Sequence, residues 1–258
     1  MQLDLELYRE EVAVEPGVHI SYIHVAPERP AQTLVFVHGF GGDARQWRYQ
    51  IEQFAHRNRI IAIDLRGHGR SSRPSSGYSM ESILADLTAV LDHLQVTEPF
   101  VLLGHSFGGA LVTEFAIRYP SRVSKLIMIA SAGEYQLAPM YRTVFQLPGS
   151  VLRFLQPLAK RFIDVSLISL KRMYWHNLRH WQGWDKFPEL KPPTMVIMGN
   201  RDRVFPQAAF ARVAELVPPE SEIVDVGVSA HMVMLERRDA VNRAIERFID
   251  TDTAATPY

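Results

Sequence analysis

The 258-residue chain contains no cysteine, which excludes a disulfide framework, thiolate metal sites and a cysteine nucleophile. Excess charge is also missing. Its 28 basic and 28 acidic side chains cancel, so the strongly basic surface that nucleic-acid capture relies on is not available and no nucleic-acid partner is expected. No apolar run approaches the roughly 18 residues that span a bilayer. The acidic stretch Met1 to Glu11 does not follow the basic-then-apolar order of a secretory signal. These absences lead to the expectation of a cytoplasmic protein without a transmembrane segment. Composition carries no information on oligomeric state.

What is present is a 47% hydrophobic fraction and enough length for a full core, since about 75% of the unfolded surface is buried at this size. Short β-rich apolar runs alternate with helical patterns, which points to an α/β fold with a mostly parallel sheet. Val12 to Val14 and Ile20 to Val25 flank the turn signal Glu15-Pro16-Gly17 and predict an edge hairpin. Thr33 to Val37, Ile60 to Ile63, Phe100 to Leu103, Leu126 to Ala130, Thr194 to Met198 and Glu222 to Val226 read as further strands. Helices are predicted from Asp43 to about Ala55, from Ser79 through an apolar stripe ending at Leu94, after Ser106 to about Arg118, from Gln207 to Leu216 and near Arg238 to Phe248. Residues 133–190 break the alternation, with helical patterns interrupted by Pro139, Pro148 and Pro157 and with three of the four tryptophans. They read as an inserted helical cap. The core is then 1–132 and 191–250, followed by a frayed tail at 251–258.

Gly104-His105-Ser106-Phe107-Gly108 is the sharpest chemical signal. A Gly-x-Ser-x-Gly pattern would occur in a random chain of this length about one time in ten. Here it lies between an apolar strand and a helix, where a tight turn demands residues without side chains on both sides of the serine. Such a turn lifts the hydroxyl above the sheet and aims it at a helix N-terminus, which favours an anion. A serine nucleophile needs a base, itself oriented by a carboxylate. In open α/β sheets, functional groups gather beyond the carboxyl ends of the strands. Asp202 follows Met198 there, and His231 follows Val226. Of the ten histidines, His231 has the position that fits the base. His38 and His105 read as members of loops beside the site, and His68 as part of a polar turn. His176 and His180 have a metal-like spacing but lack the glutamate of a zinc hydrolase, so no metal is expected.

These residues resemble the α/β-hydrolase superfamily, in its serine esterase and lipase-like branch. The nucleophile motif matches at Ser106, the order serine, aspartate, histidine matches at Ser106, Asp202 and His231, and His38-Gly39-Phe40-Gly41 looks like the family's oxyanion loop. The resemblance implies an eight-stranded, mostly parallel central sheet flanked by helices, with a cap inserted after the sixth strand. It implies acyl transfer through an acyl-enzyme on Ser106, with His231 as base, Asp202 as its acid partner and the backbone N–H groups of Phe40 and Phe107 as the oxyanion hole. Glu134, just past the sixth strand, is the alternative acid, because some relatives place it there. Asp64 reads as structural. Relatives that open halides or epoxides carry an aspartate at the nucleophile position, so Ser106 directs the reading to acyl chemistry.

The expected substrate is a carboxylic ester with a small to medium apolar acyl group, and no cofactor is needed. A carbon–carbon bond hydrolase acting on a ring-cleavage product and a slow-turnover ligand receptor are the alternatives. His38, Gly39, His105, Trp175 and Trp181 are the expected substrate-contacting residues. From Gln136 to Gln182 the cap carries seven arginines and lysines against one aspartate, a net of +6. Interleaved among them are apolar side chains such as Tyr141, Phe145, Val151, Leu152, Phe154, Leu158, Leu170, Trp175 and Trp181. Two readings stand side by side. The cap helices are simply amphipathic with solvated arginines, or they roof an apolar acyl pocket whose cationic rim attracts an anionic substrate or surface.

Overall fold

The computed structural model describes residues 3–159 and 165–251. Eight strands form one sheet, β1 (Arg9–Glu15), β2 (Val18–Val25), β3 (Thr33–Val37), β4 (Arg59–Ile63), β5 (Phe100–His105), β6 (Val123–Ile129), β7 (Thr194–Met198) and β8 (Glu222–Asp225). Their order is β1-β2-β4-β3-β5-β6-β7-β8. The β1–β2 and β2–β4 pairs are antiparallel and all later pairs are parallel. The predicted edge hairpin is therefore present, with strands longer than the sequence pattern outlined.

Alternation along the central strands divides the core between the two faces of the sheet. Val35, Val37 and Leu102 point to one face, while Leu34, Phe36, Val101 and Leu103 point to the other. The first face is covered by α2 (Met80–His93) and α3 (Phe107–Arg118), through Ile83, Leu87, Leu91, Leu111 and Phe115. The second is covered by α1 (Arg48–Phe54) and the C-terminal helix, through Ile51, Phe54, Val241, Ile245 and Phe248. A sheet buried on both sides is what its near-continuous apolar strands require.

Between β6 and β7 the described chain forms α4 (Pro139–Val144), α5 (Gly149–Ala159) and α6 (Leu167–Met173), closed by a π-helical turn at Tyr174–Leu178. The core resumes with α7 (Gln207–Leu216), a short α8 (Val233–Glu236) and α9 (Arg238–Asp250).

Several boundaries differ from the sequence reading for physical reasons. The helix after Asp43 opens with a 3₁₀ turn, Ala44–Trp47, capped by the Asp43 carboxylate on the Arg45 N–H. Strand β6 begins at Val123, three residues before the apolar run, because Lys125 is buried. Its ammonium donates to the Phe248, Ile249 and Thr251 carbonyls at the end of α9, where a cation offsets the helix dipole. The expected tail lies outside the described residues from position 252 onward.

Candidate active site

Chain direction changes on either side of β3 and β5, because the chain passes from β3 to β4 on one side and from β5 to β6 on the other. Val37 pairs with Gly104 in register, so the segments leaving the two strands, 38–40 and 105–107, emerge side by side. This is the crevice where open α/β sheets collect their functional groups.

Strand β5 is buried along its whole length, and the chain must turn at once into α3. Ser106 makes the turn at φ 51° and ψ −121°, a left-handed conformation that costs a non-glycine residue about 1–3 kcal/mol. The surroundings enforce it. Ser106 N–H donates to Ile129 O at 2.9 Å, and Gly109 N–H donates to Ser106 O at 2.7 Å. A methyl on Gly104 would overlap the Gly108 carbonyl, and one on Gly108 would overlap the Val37 carbonyl. Both glycines are thus demanded by close backbone approach.

Asp202 follows β7 and His231 follows β8. His231 Nδ1 lies 2.8 Å from Asp202 Oδ2, and His231 Nε2 lies 2.9 Å from Ser106 Oγ. The other Asp202 oxygen accepts N–H bonds from Val204 at 2.7 Å and Phe205 at 3.1 Å. Burial alone would raise this carboxyl, but the bonds from His231 and the two amides outweigh it and hold the group below the ordinary carboxylate range. Glu134 is instead half-buried and accepts from the Gln136 side chain at 3.1 Å.

Gly39 abuts Ser106, since a methyl there would lie 3.1 Å from Ser106 Cβ and 2.8 Å from His105 Nδ1. In that loop Gly42 N–H donates to Gly39 O and Gly41 N–H to His68 Nε2. Phe107 opens α3, where helical bonding gives its N–H no acceptor. Among the described residues, neither Phe40 N–H nor Phe107 N–H makes a hydrogen bond.

Three fully buried histidines brace these loops. His38 Nδ1–H donates to Gly39 O at 2.8 Å while its Nε2 accepts the Leu65 N–H at 3.0 Å. His68 accepts from Gly41 and reaches Arg66 O at 3.1 Å through Nδ1. His105 Nε2 donates to the carbonyl of His231 at 3.0 Å. Burial lowers the pKa of all three, to about 3 for His68 and His105, whose neighbouring histidines add to the effect. Each works as a neutral ring. Asp64, with a fully buried side chain, accepts from the Ala44 and Arg70 amides and from Arg9, which is a structural task.

Of the two tryptophans expected at the site, Trp181 packs against Tyr135 at a 49° tilt, ring centres 5.6 Å apart, and donates to Glu114 at 2.9 Å. Trp175 donates to Phe145 O and lies under the Arg179 guanidinium. The apolar group closer to the loops is Phe145, whose ring meets Phe40 edge-on at 6.1 Å. Tyr141, Val151, Phe154 and Leu158 are exposed, which for these four side chains agrees with the amphipathic reading and not with a closed pocket roof. Phe162, Lys160, Arg161 and Asp164 lie outside the described residues. Tyr135 escaped the sequence reading altogether. Its hydroxyl donates to Ser106 O at 2.7 Å and pairs with Ser131 Oγ at 3.0 Å. Its only sequence signal was an aromatic five residues past the sixth apolar strand.

A family model for the alpha/beta hydrolase fold matches residues 32–174. The chain belongs to the alpha/beta hydrolase family. Among curated relatives, human protein ABHD8 is 30% identical over 252 residues, covering 87% of this chain and 56% of that protein. The chain therefore spans little more than half the length of that relative. The 2-hydroxy-6-oxo-2,4-heptadienoate hydrolase of Pseudomonas putida is 27% identical over 246 residues, covering 84% of this chain and 88% of the relative. Among solved structures, the enol-lactonase from Burkholderia xenovorans superposes with a TM-score of 0.80 at 20% identity, covering 94% of this chain and all of that one. This likeness concerns the fold. No helix among the described residues is long and apolar enough to cross a membrane.

Proposed function

We propose that this alpha/beta hydrolase cleaves carboxylic esters through an acyl-enzyme on Ser106. The observation that carries the reading is the continuous hydrogen-bonded chain from Asp202 through His231 to Ser106, ending on a serine held at positive φ. Ser106 Oγ attacks the ester carbonyl and passes its proton to His231 Nε2. Asp202 fixes the Nδ1–H tautomer and stabilises the imidazolium. The developing oxyanion is met by the N–H groups of Phe40 and Phe107, each worth roughly 10²–10³ in rate. The alcohol leaves with the proton from His231, and water then releases the acid by the same steps in reverse. In this reading the helical segment between β6 and β7 caps the site, and the rings of Phe40, Phe145 and Phe205 favour an apolar acyl group of small to medium length.

The test is steady-state hydrolysis of p-nitrophenyl esters of increasing acyl length, with Ser106→Ala beside the wild type. Turnover on the shorter esters is expected, falling in the variant by roughly 10⁴-fold or more. A folded wild type that turns over no ester removes the proposal. The similarity to a ring-cleavage-product hydrolase supports a second reading, carbon–carbon bond cleavage by the same serine. It wins if such a product is consumed while every ester is left intact.

A further inference from the structure

We propose that the outer face of α4 and α5 docks the protein onto an anionic phospholipid membrane. Five of the ten large apolar side chains exposed among the described residues fall between Met140 and Leu158: Met140 at 64% exposure, Tyr141, Val151, Phe154 at 84% and Leu158 at 60%. On α5 the spacing is informative. At about 100° per residue, Val151, Phe154 and Leu158 share a sector only about 60° wide, and the fully buried Leu152 lies outside it, about 100° beyond Val151. Arg153 flanks the stripe about 100° from Phe154, and both Arg153 and Arg142 are exposed.

The inner side of this layer is occupied. Phe145 packs on Phe40, its carbonyl accepts from Trp175, and Lys171 donates to Leu147 O. Among the described residues the outward stripe is the exposed side of a two-sided element, and its apolar side chains are clustered rather than scattered singly.

Charge selects the occupant. Residues 136–159 carry Arg142 and Arg153, both exposed, and no acidic side chain, so the apolar stripe lies in a cationic field, the pattern that partitions into an anionic interface. A second copy fits poorly, because a two-fold pairing of this face would set one positive patch against its twin. Docked this way, the protein would present the side bearing Phe40 and Ser106 behind a thin helical layer at the lipid surface. The proposal concerns binding and stands apart from the chemistry at Ser106.

Vesicle flotation of the full chain tests it. The wild type should float with vesicles of equal parts phosphatidylcholine and phosphatidylglycerol, and less with phosphatidylcholine alone, and the partition should fall as salt rises. Replacing Phe154 and Leu158 together by glutamine should weaken the partition about tenfold or more. Replacing Arg142 and Arg153 by glutamine should cost about fivefold each. All these positions are exposed, so melting temperature should be unchanged, and a Met140→Gln, Tyr141→Gln variant repeats the test on α4 should α5 not tolerate the change. Wild type that ignores anionic vesicles, or apolar variants that bind like wild type, would overturn the proposal. So would a concentration-dependent dimer in sedimentation that the Phe154→Gln, Leu158→Gln variant abolishes.

Discussion

The loops at the ends of β3, β4, β5 and β8 and the helical segment between β6 and β7 are held in different ways. In the loops three buried histidine rings tie one backbone segment to another. The His38 ring spans Gly39 and Leu65, His68 spans Gly41 and Arg66, and His105 reaches the backbone of His231. The helical segment is tied through its second half, by Trp181 to Glu114, Arg172 to Pro74 O and Asn177 to Tyr78 O. Gln156 of α5 bonds Val165 O and the Leu167 N–H, and Leu147 O before α5 accepts from Lys171 of α6. Chemistry that needs positions fixed within about half an ångström is built on the first kind of support. Adaptable recognition suits the second.

The contrast should appear first in activity. Asp202→Asn, which keeps the volume but offers His231 the wrong partner, is expected to lower kcat by roughly 10⁴ while leaving the fold intact. Glu134→Gln should change kcat by less than about twofold, within the range of surface substitutions. Equal losses in the two variants would return Glu134 to consideration as the acid.

Stability should then separate the two sides of the helical layer. Phe145 is 1% exposed and Phe154 84%. Phe145→Ala is expected to cost about 3–5 kcal/mol in denaturant unfolding. Phe154→Ala should stay within about 0.5 kcal/mol. Similar costs would mean that the outer face is packed rather than open.

A gradual effect, spread over several pH units, comes from the buried histidines, His38 and His68 in the loops and His105 at the end of β5. Their folded pKa values sit below the ordinary 6.5, at about 3 for His68 and His105. Above pH 6.5 both folded and unfolded rings are neutral and the contribution is fully present. As pH falls from 6.5 toward 3, the unfolded chain takes up protons that the folded rings refuse, so stability declines by up to about 1.4 kcal/mol per pH unit for each ring. Unfolding measured from pH 7 to 5 should show the decline, and His68→Gln should flatten it. An unchanged slope would mean that His68 is not the group responsible.

Much of the fold was legible because a sheet buried on both faces writes itself as uninterrupted apolar runs. Thr33 to Val37 and Thr194 to Met198 were predicted at their observed bounds. Asp202 and His231 could be placed near Ser106 from sequence because both follow the carboxyl ends of parallel strands, where open α/β sheets bring loops together. Their mutual bonds were not legible, since side-chain geometry depends on loop paths of 29 residues apart in sequence. Lys125 hid the start of β6 because a buried amine reads as surface until its acceptors are known. Tyr135 was missed for the converse reason, as an aromatic in a segment full of aromatics gives no sign that its hydroxyl meets Ser106 O. The outward turn of Phe154 and Leu158 was hidden by a helix hydrophobic on more than one side.

Strands β6 and β7 are hydrogen-bonded neighbours, with Leu126 paired to Thr194, and Gly183 N–H returns to Gly133 O at 2.7 Å. The excursion between them thus leaves and rejoins the sheet at adjacent points, and the ends are joined whatever lies between. Each doubling of such an excursion adds only about 0.6 kcal/mol of closure entropy. A longer or shorter excursion here would therefore cost little closure entropy and leave the strand ends that carry Ser106, Asp202 and His231 where they are.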